Sequence, residues 1–178
     1  MANREALREL QTRLAERMQA ARREQRGQSW LAVECRGHGL LLPLEQAGEI
    51  FPPTALMPVP HTRDWFVGVA NLRGGLHGVV DLARFLGLPV AAPAEAAREQ
   101  SRLIAFSAAL GLNCALLVDR LAGLRSSEQL RAEADLQHDD GPRPAFAGAR
   151  WRDADGRGWQ VLDLAALARD AQFLSIVA

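Results

Sequence analysis

A chain of 178 residues with 48% apolar side chains is long enough for one ordinary domain or two small β modules around a real core. Its 21 basic and 21 acidic residues cancel, which argues against a bulk nucleic-acid binder, because neutralising phosphates needs a basic face. Lysine and tyrosine are both absent, so Walker-lysine, Schiff-base and catalytic-tyrosine chemistry are excluded.

Residues 3–26 read as a helix, with Leu7, Leu10, Leu14, Met18 and Ala21 at three- and four-residue steps, charged side chains on the remaining faces and Gly27 as the stop. Such a helix packs on its own domain, docks on a partner or lies on a membrane surface, and its mixed charge weakens the last option. From Trp30 the period becomes that of strands: 30–35, a turn at Arg36-Gly37-His38-Gly39, then 40–50 with a bend near Glu45. Four prolines between Pro52 and Pro60 make that stretch an extended loop rather than a central strand. Apolar runs such as 40–44 and 115–118 fall far short of the ~20 residues of a membrane span. With a charged N-terminus, neither signal peptide nor membrane insertion is expected, and the expected location is cytoplasmic.

The stretch 65–86 organises the chain. Apolar runs 65–72 and 76–80, rich in Val and Leu, are divided by Gly74-Gly75 and read as a hairpin. Asp81 closes the second strand, and a short helix carries Leu82, Phe85 and Leu86 before Gly87 and Pro89. Residues 89–101 read as a linker; strands 102–109 and 112–124 follow around Gly111, and 126–145 reads as mobile surface. A degenerate copy of the central unit then appears: Phe146-Ala147-Gly148, strands 146–151 and 159–162, and Asp163-Leu164-Ala165 opening a closing helix 163–170. Leu40 to Ile50 likewise resembles Ala115 to Leu124, so an offset of roughly 75 to 80 residues marks two versions of one β unit. The apolar tail with Phe173, Leu174, Ile176 and Val177 either docks on the fold or is a contact site.

No catalytic constellation is visible. His38, His61, His77 and His138 are far apart, His138-Asp139-Asp140 sits in a Pro/Gly loop of solvated type, and no nucleophile elbow, Cys-x-x-Cys or phosphate-binding glycine loop occurs. Cys35 and Cys114 read as buried thiols rather than a disulfide or metal pair. Asp81 and Asp163 occupy equivalent strand-to-helix junctions, which favours helix capping over a carboxylate pair. Arg73 and Glu49 stand out as charges at the ends of apolar strands. If those strands neighbour one another, the two form an ion pair in a half-buried groove, either structural or part of a protein-binding surface.

These residues carry a resemblance. Pro58-Val59-Pro60, Phe66-x-x-Gly68-Val69-x-Asn71-Leu72-Arg73-Gly74 and Val79-Val80-Asp81-Leu82 are similar to the signature of the CheW family of chemotaxis adaptors, with further matches at Glu49-Ile50, Leu116-Leu117-Val118-Asp119 and Asp163-Leu164. The resemblance spans about 29–170 and implies a mainly β fold of two small five-stranded SH3-like barrels with short helices after each barrel, flanked by the N-terminal helix over 1–28 and a tail over 171–178 that lie outside it. It sets the first barrel at about 29–88, the linker at 89–101 and the second barrel at about 102–162. It implies no catalysis and no cofactor or metal. The implied partners are the regulatory domain of a CheA-type histidine kinase and the cytoplasmic tip of a methyl-accepting chemoreceptor, in arrays at the inner membrane. Glu49, Gly68, Asn71 and Arg73 are the residues it assigns to the receptor-facing groove, and apolar residues of the first barrel would meet the kinase.

His77-Gly78 departs from the family's apolar-Pro pair, and the N-terminal helix is long for a minimal member. With the run 117–125, these features tilt the resemblance toward the PilI-like adaptors of twitching-motility systems that drive type IV pili. The rival reading is a stand-alone small barrel that binds a ligand or nucleic acid. It requires a basic, aromatic-studded groove, which 6% aromatic residues and a neutral charge balance do not favour.

Overall fold

The computed structural model describes residues 28–89, 99–133 and 143–178; the expected N-terminal helix, most of the linker and the His138-Asp139-Asp140 loop lie outside the described residues. The first half supplies β1 (Ser29–Cys35), β2 (His38–Pro43), β3 (Ala47–Phe51), β4 (Phe66–Leu72), β5 (Gly75–Asp81) and the helix α1 (Leu82–Phe85). The second supplies β6 (Arg102–Phe106), a 3-10 turn at Ala108–Leu110, β7 (Cys114–Val118), β8 (Arg120–Ser126), β9 (Arg131–Ala132), β10 (Ala147–Arg152), β11 (Gly158–Leu162), α2 (Leu164–Leu167) and α3 (Ala171–Leu174).

The strands form a six-stranded sheet, β8-β1-β2-β11-β10-β9, and a five-stranded sheet, β3-β6-β7-β5-β4. Each sheet therefore mixes the two halves, and the expected division into barrels over 29–88 and 102–162 does not describe the sheets. The connections explain why. Only Asp119 separates β7 from β8, one residue fewer than the tightest hairpin requires, so β8 cannot fold back on β7 and crosses to pair with β1. For the same reason the expected single strand 112–124 is two strands in different sheets. The bend expected near Glu45 is a full break at 44–46, and β3 leaves β2 to pair with β6. The two sheets repeat one order, and each contains one parallel pair, β2 with β11 and β5 with β7. That is the internal repeat in three dimensions.

Both sheets curl around interiors of their own and press their other faces together. In β1 the side chains alternate: Leu31, Val33 and Cys35 face the shared core, while Trp30 and Ala32 face the interior of the six-stranded sheet. In β7, Cys114, Leu116 and Val118 face the shared core and Ala115 the interior of the five-stranded sheet. Burial on both faces is why these strands read as continuous apolar runs. Residues at or next to both ends of each sheet reach its interior, Ala122 on β8 and Trp151 on β10 in one and Phe51 on β3 and Ala70 on β4 in the other, which is what rolling into a barrel requires.

One surface expectation changes, and another is decided between its two alternatives. Leu130 is buried beside Trp30, Leu41 and Trp159, and it draws Arg131–Ala132 alongside β10 as a sixth strand. The segment from Leu130 to Ala132 is thus built into the barrel. The C-terminal tail docks: Phe173 stacks parallel to Phe106 and Trp65 and meets Phe85 edge-on. Arg63 N–H donates to the Ile176 carbonyl at 2.8 Å and Ala178 N–H to that of His61 at 3.0 Å.

Candidate protein-binding site

The site is built on a hairpin tip. In the β4–β5 register Leu72 faces Gly75, so the turn residues are Arg73 and Gly74 rather than the glycine pair. Both have positive φ, 50° and 82°, as the favoured two-residue hairpin turns demand. Glycine tolerates this freely, whereas an arginine held there costs about 1 kcal/mol or more. Asn71 offsets part of that cost, its Oδ1 accepting a hydrogen bond from Gly74 N–H at 2.8 Å.

Arg73 reaches across to Glu49, Nη2 to Oε1 at 2.6 Å. The strands that carry them, β4 and β3, are the two ends of the five-stranded sheet, so the pair spans the seam where that barrel closes. Lower on the seam, Met57 and Val69 exchange backbone hydrogen bonds at 2.8 and 2.9 Å. The pair is not half-buried as expected: the Arg73 side chain is 77% exposed and that of Glu49 40%. The hairpin tip projects beyond the barrel interior, and among the described residues none covers it.

Gly68 stands apart from the ion pair. It lies at an irregularity in the β4–β5 register with φ of 134°. A Cβ there would come within 2.4 Å of the Met57 carbonyl oxygen. Gly68 thus lets the proline-rich segment close onto β4, whereas Glu49, Asn71 and Arg73 form the polar tip itself.

Asp81 and Asp163 are helix caps. Asp81 Oδ1 accepts from Arg84 N–H at 3.0 Å, and Asp163 Oδ1 accepts from Ala165 and Ala166 N–H at 2.9 and 3.0 Å. The cysteines are free and buried, and burial, the dominant cause in each case, pushes both thiols up to about 12. Among the described residues, no three His, Cys, Asp or Glu side chains gather as a metal would need. No described helix is long and apolar enough to cross a membrane.

Sequence reasoning missed Glu34, the buried charged residue among those described. Its Oε1 takes Arg120 Nη2 at 2.5 Å and Arg157 Nη1 at 2.6 Å, and its Oε2 takes Arg120 Nε at 2.9 Å. Burial alone would raise this carboxyl, but the hydrogen bonds and charges of Arg157 and Arg120 outweigh it and hold the group below its ordinary range. The available signal was a lone carboxylate in the apolar run Trp30 to Cys35.

A family profile described as CheW-like domain matches residues 29–172. The chain belongs to the CheW family. It is 30% identical to Protein PilI of Pseudomonas aeruginosa over 158 residues, 84% of this chain and 81% of that protein, which supports the PilI-like branch. The fold is shared with the scaffolding protein TtCheW of Thermoanaerobacter tengcongensis: the TM-score is 0.61 at 18% identity, over 76% of this chain and 88% of that one. Two curled sheets joined by exchanged strands are therefore the architecture that the two proteins share.

Proposed function

We propose that this CheW-family protein is a non-catalytic adaptor that couples a chemoreceptor tip to the regulatory domain of a CheA-type histidine kinase, in a chemosensory system controlling type IV pilus twitching. The observation that carries this reading is the Glu49–Arg73 pair, displayed on a rigid hairpin tip at the barrel seam and left largely in solvent. A purely structural ion pair at such exposure would contribute little to stability, about 0–1 kcal/mol. The similarity to PilI supports the pilus branch. Glu49, Asn71 and Arg73 form the receptor-facing surface in this reading, and Gly68 fixes the seam beneath them. Exposed Met57 and Leu76 on the same barrel are apolar contacts for the kinase domain.

Reconstitution tests this. Kinase phosphorylation is followed with receptor-tip assemblies from the same organism, with and without the protein. Receptor control that appears only when the protein is added supports the adaptor role, and identical phosphorylation in both cases contradicts it.

A further inference from the structure

The interior of the six-stranded barrel reaches the surface at a groove of about 330 Å³, lined among others by Ser29, Trp30, Pro43, Ala149, Trp151 and Val161. Trp30, Trp151 and Val161 belong to the cluster that fills that interior. Leu44 follows Pro43 at the rim and is nearly half exposed. Trp151 and Trp159 are paired across β10 and β11, and their indoles differ: Trp159 Nε1 donates to Asp153 Oδ2 at 2.9 Å, whereas Trp151 Nε1 is buried with no hydrogen-bond partner among the described residues. A buried indole N–H ordinarily has an acceptor, so the residues that line this groove leave it unfinished.

The described chain begins in the same place. Gln28 lines the groove; its carbonyl accepts from Ser127 N–H at 2.9 Å, and that of Ser29 accepts from Leu44 N–H at 3.1 Å. The point from which residues 1–27 depart is therefore fixed at the groove. The pattern of 3–26 predicts a helix whose stripe of Leu7, Leu10, Leu14, Met18 and Ala21 needs an apolar surface. The last carbonyls of such a helix lack partners within it, which is the kind of acceptor that Trp151 Nε1 lacks, and Gly27 permits the chain to reverse. Only residue 27 lies between the predicted helix and the groove, so the effective concentration of the segment there exceeds what a free partner offering the same stripe could reach. We propose that residues 3–26 dock as an amphipathic helix on this groove of their own chain, closing the mouth of the six-stranded barrel. The stripe is then an internal contact rather than a surface offered to a partner or a membrane.

Amide hydrogen exchange read by mass spectrometry tests this on the full chain, with a free peptide of residues 1–27 as reference and sedimentation at several concentrations to give the oligomeric state. The variants are Leu10→Asp with Leu14→Asp on the stripe and Ala149→Arg in the groove, the latter at an exposed position; slow exchange of the β7 amides reports that each is folded. The expected result is a wild-type monomer in which residues 7–21 exchange about tenfold or more slowly than in the peptide, with that protection lost in both variants and exchange at 149–151 speeding up. Wild-type residues 7–21 that exchange at the peptide's rate overturn the proposal, as does protection that survives Ala149→Arg. Protection that appears only as the protein dimerises with rising concentration also overturns it and assigns the groove to a second copy.

Discussion

Glu34 on β1 is bound by Arg157 of the β10–β11 turn at 2.6 Å, across 123 positions of sequence. With Arg120 on β8 completing the cluster, this buried carboxylate ties β1 to the β10–β11 hairpin. Glu34→Gln keeps the shape and removes the charge. It is expected to lower unfolding free energy by about 1–3 kcal/mol, less than for a fully buried pair because the arginines remain partly in water. The arginines hold the folded carboxyl below its ordinary value of 4.5. The stabilisation is therefore complete above that value and lost as pH falls through the lower folded-state value. Urea unfolding across an acid series checks both parts: the gap between wild type and Glu34→Gln should close on acidification, and a gap independent of pH would contradict the assignment.

Gly68→Ala places a methyl group 2.4 Å from the Met57 carbonyl oxygen on a backbone of φ 134°. Strain at such a position costs on the order of 1–3 kcal/mol before the clash is counted. We expect a destabilisation of at least about 2 kcal/mol in thermal or urea unfolding, with the strand content retained. A neutral Gly68→Ala would mean that the seam between β4 and the proline segment is loose.

Much of this was legible in the sequence because local rules decide it. The hairpin 66–81 and the capping roles of Asp81 and Asp163 rest on turn chemistry and spacing within about 20 residues, the repeat shows as the same motifs in the same order further along the chain, and Glu49 and Arg73 stand out as charges at the ends of apolar strands that pair only if those strands are neighbours. What was not legible is long-range. Alternation in Leu31, Ala32 and Val33 cannot say that both faces are buried by different neighbours. Nor does a one-residue joint at Asp119 announce a change of sheet until the pairing is known. Exposure of the Arg73–Glu49 pair depends on how far the tip overhangs the barrel, which spacing does not encode, and the second partner of Glu34 lies in a turn whose position only the fold sets.

Phe173 locks the C-terminal tail by stacking with Phe106 and Trp65 at centroid separations of 6.0 and 6.2 Å. Phe173→Ala should cost about 3 kcal/mol, at the low end for a buried aromatic because a terminal segment can peel away. Trp65 sits against it and provides the readout. Its emission should shift to longer wavelength in the variant under native conditions. Unchanged emission and stability would show that the tail is not part of the core.

The Cys35 and Cys114 thiols, pushed up to about 12 by burial, should be inert in the folded protein. At neutral pH an aromatic disulfide reagent is expected to titrate neither until denaturant is added, and both afterwards. Rapid reaction of either in the native state would contradict its place in the shared core.

The measurement that bears most directly on the central claim is co-elution from a sizing column of the full chain with the kinase regulatory domain and a receptor-tip fragment from the same organism. The account predicts a three-component peak for the wild type and, with Arg73→Glu, a peak that retains the kinase domain and loses the receptor fragment. A folded wild-type protein that elutes alone in the presence of both would contradict it.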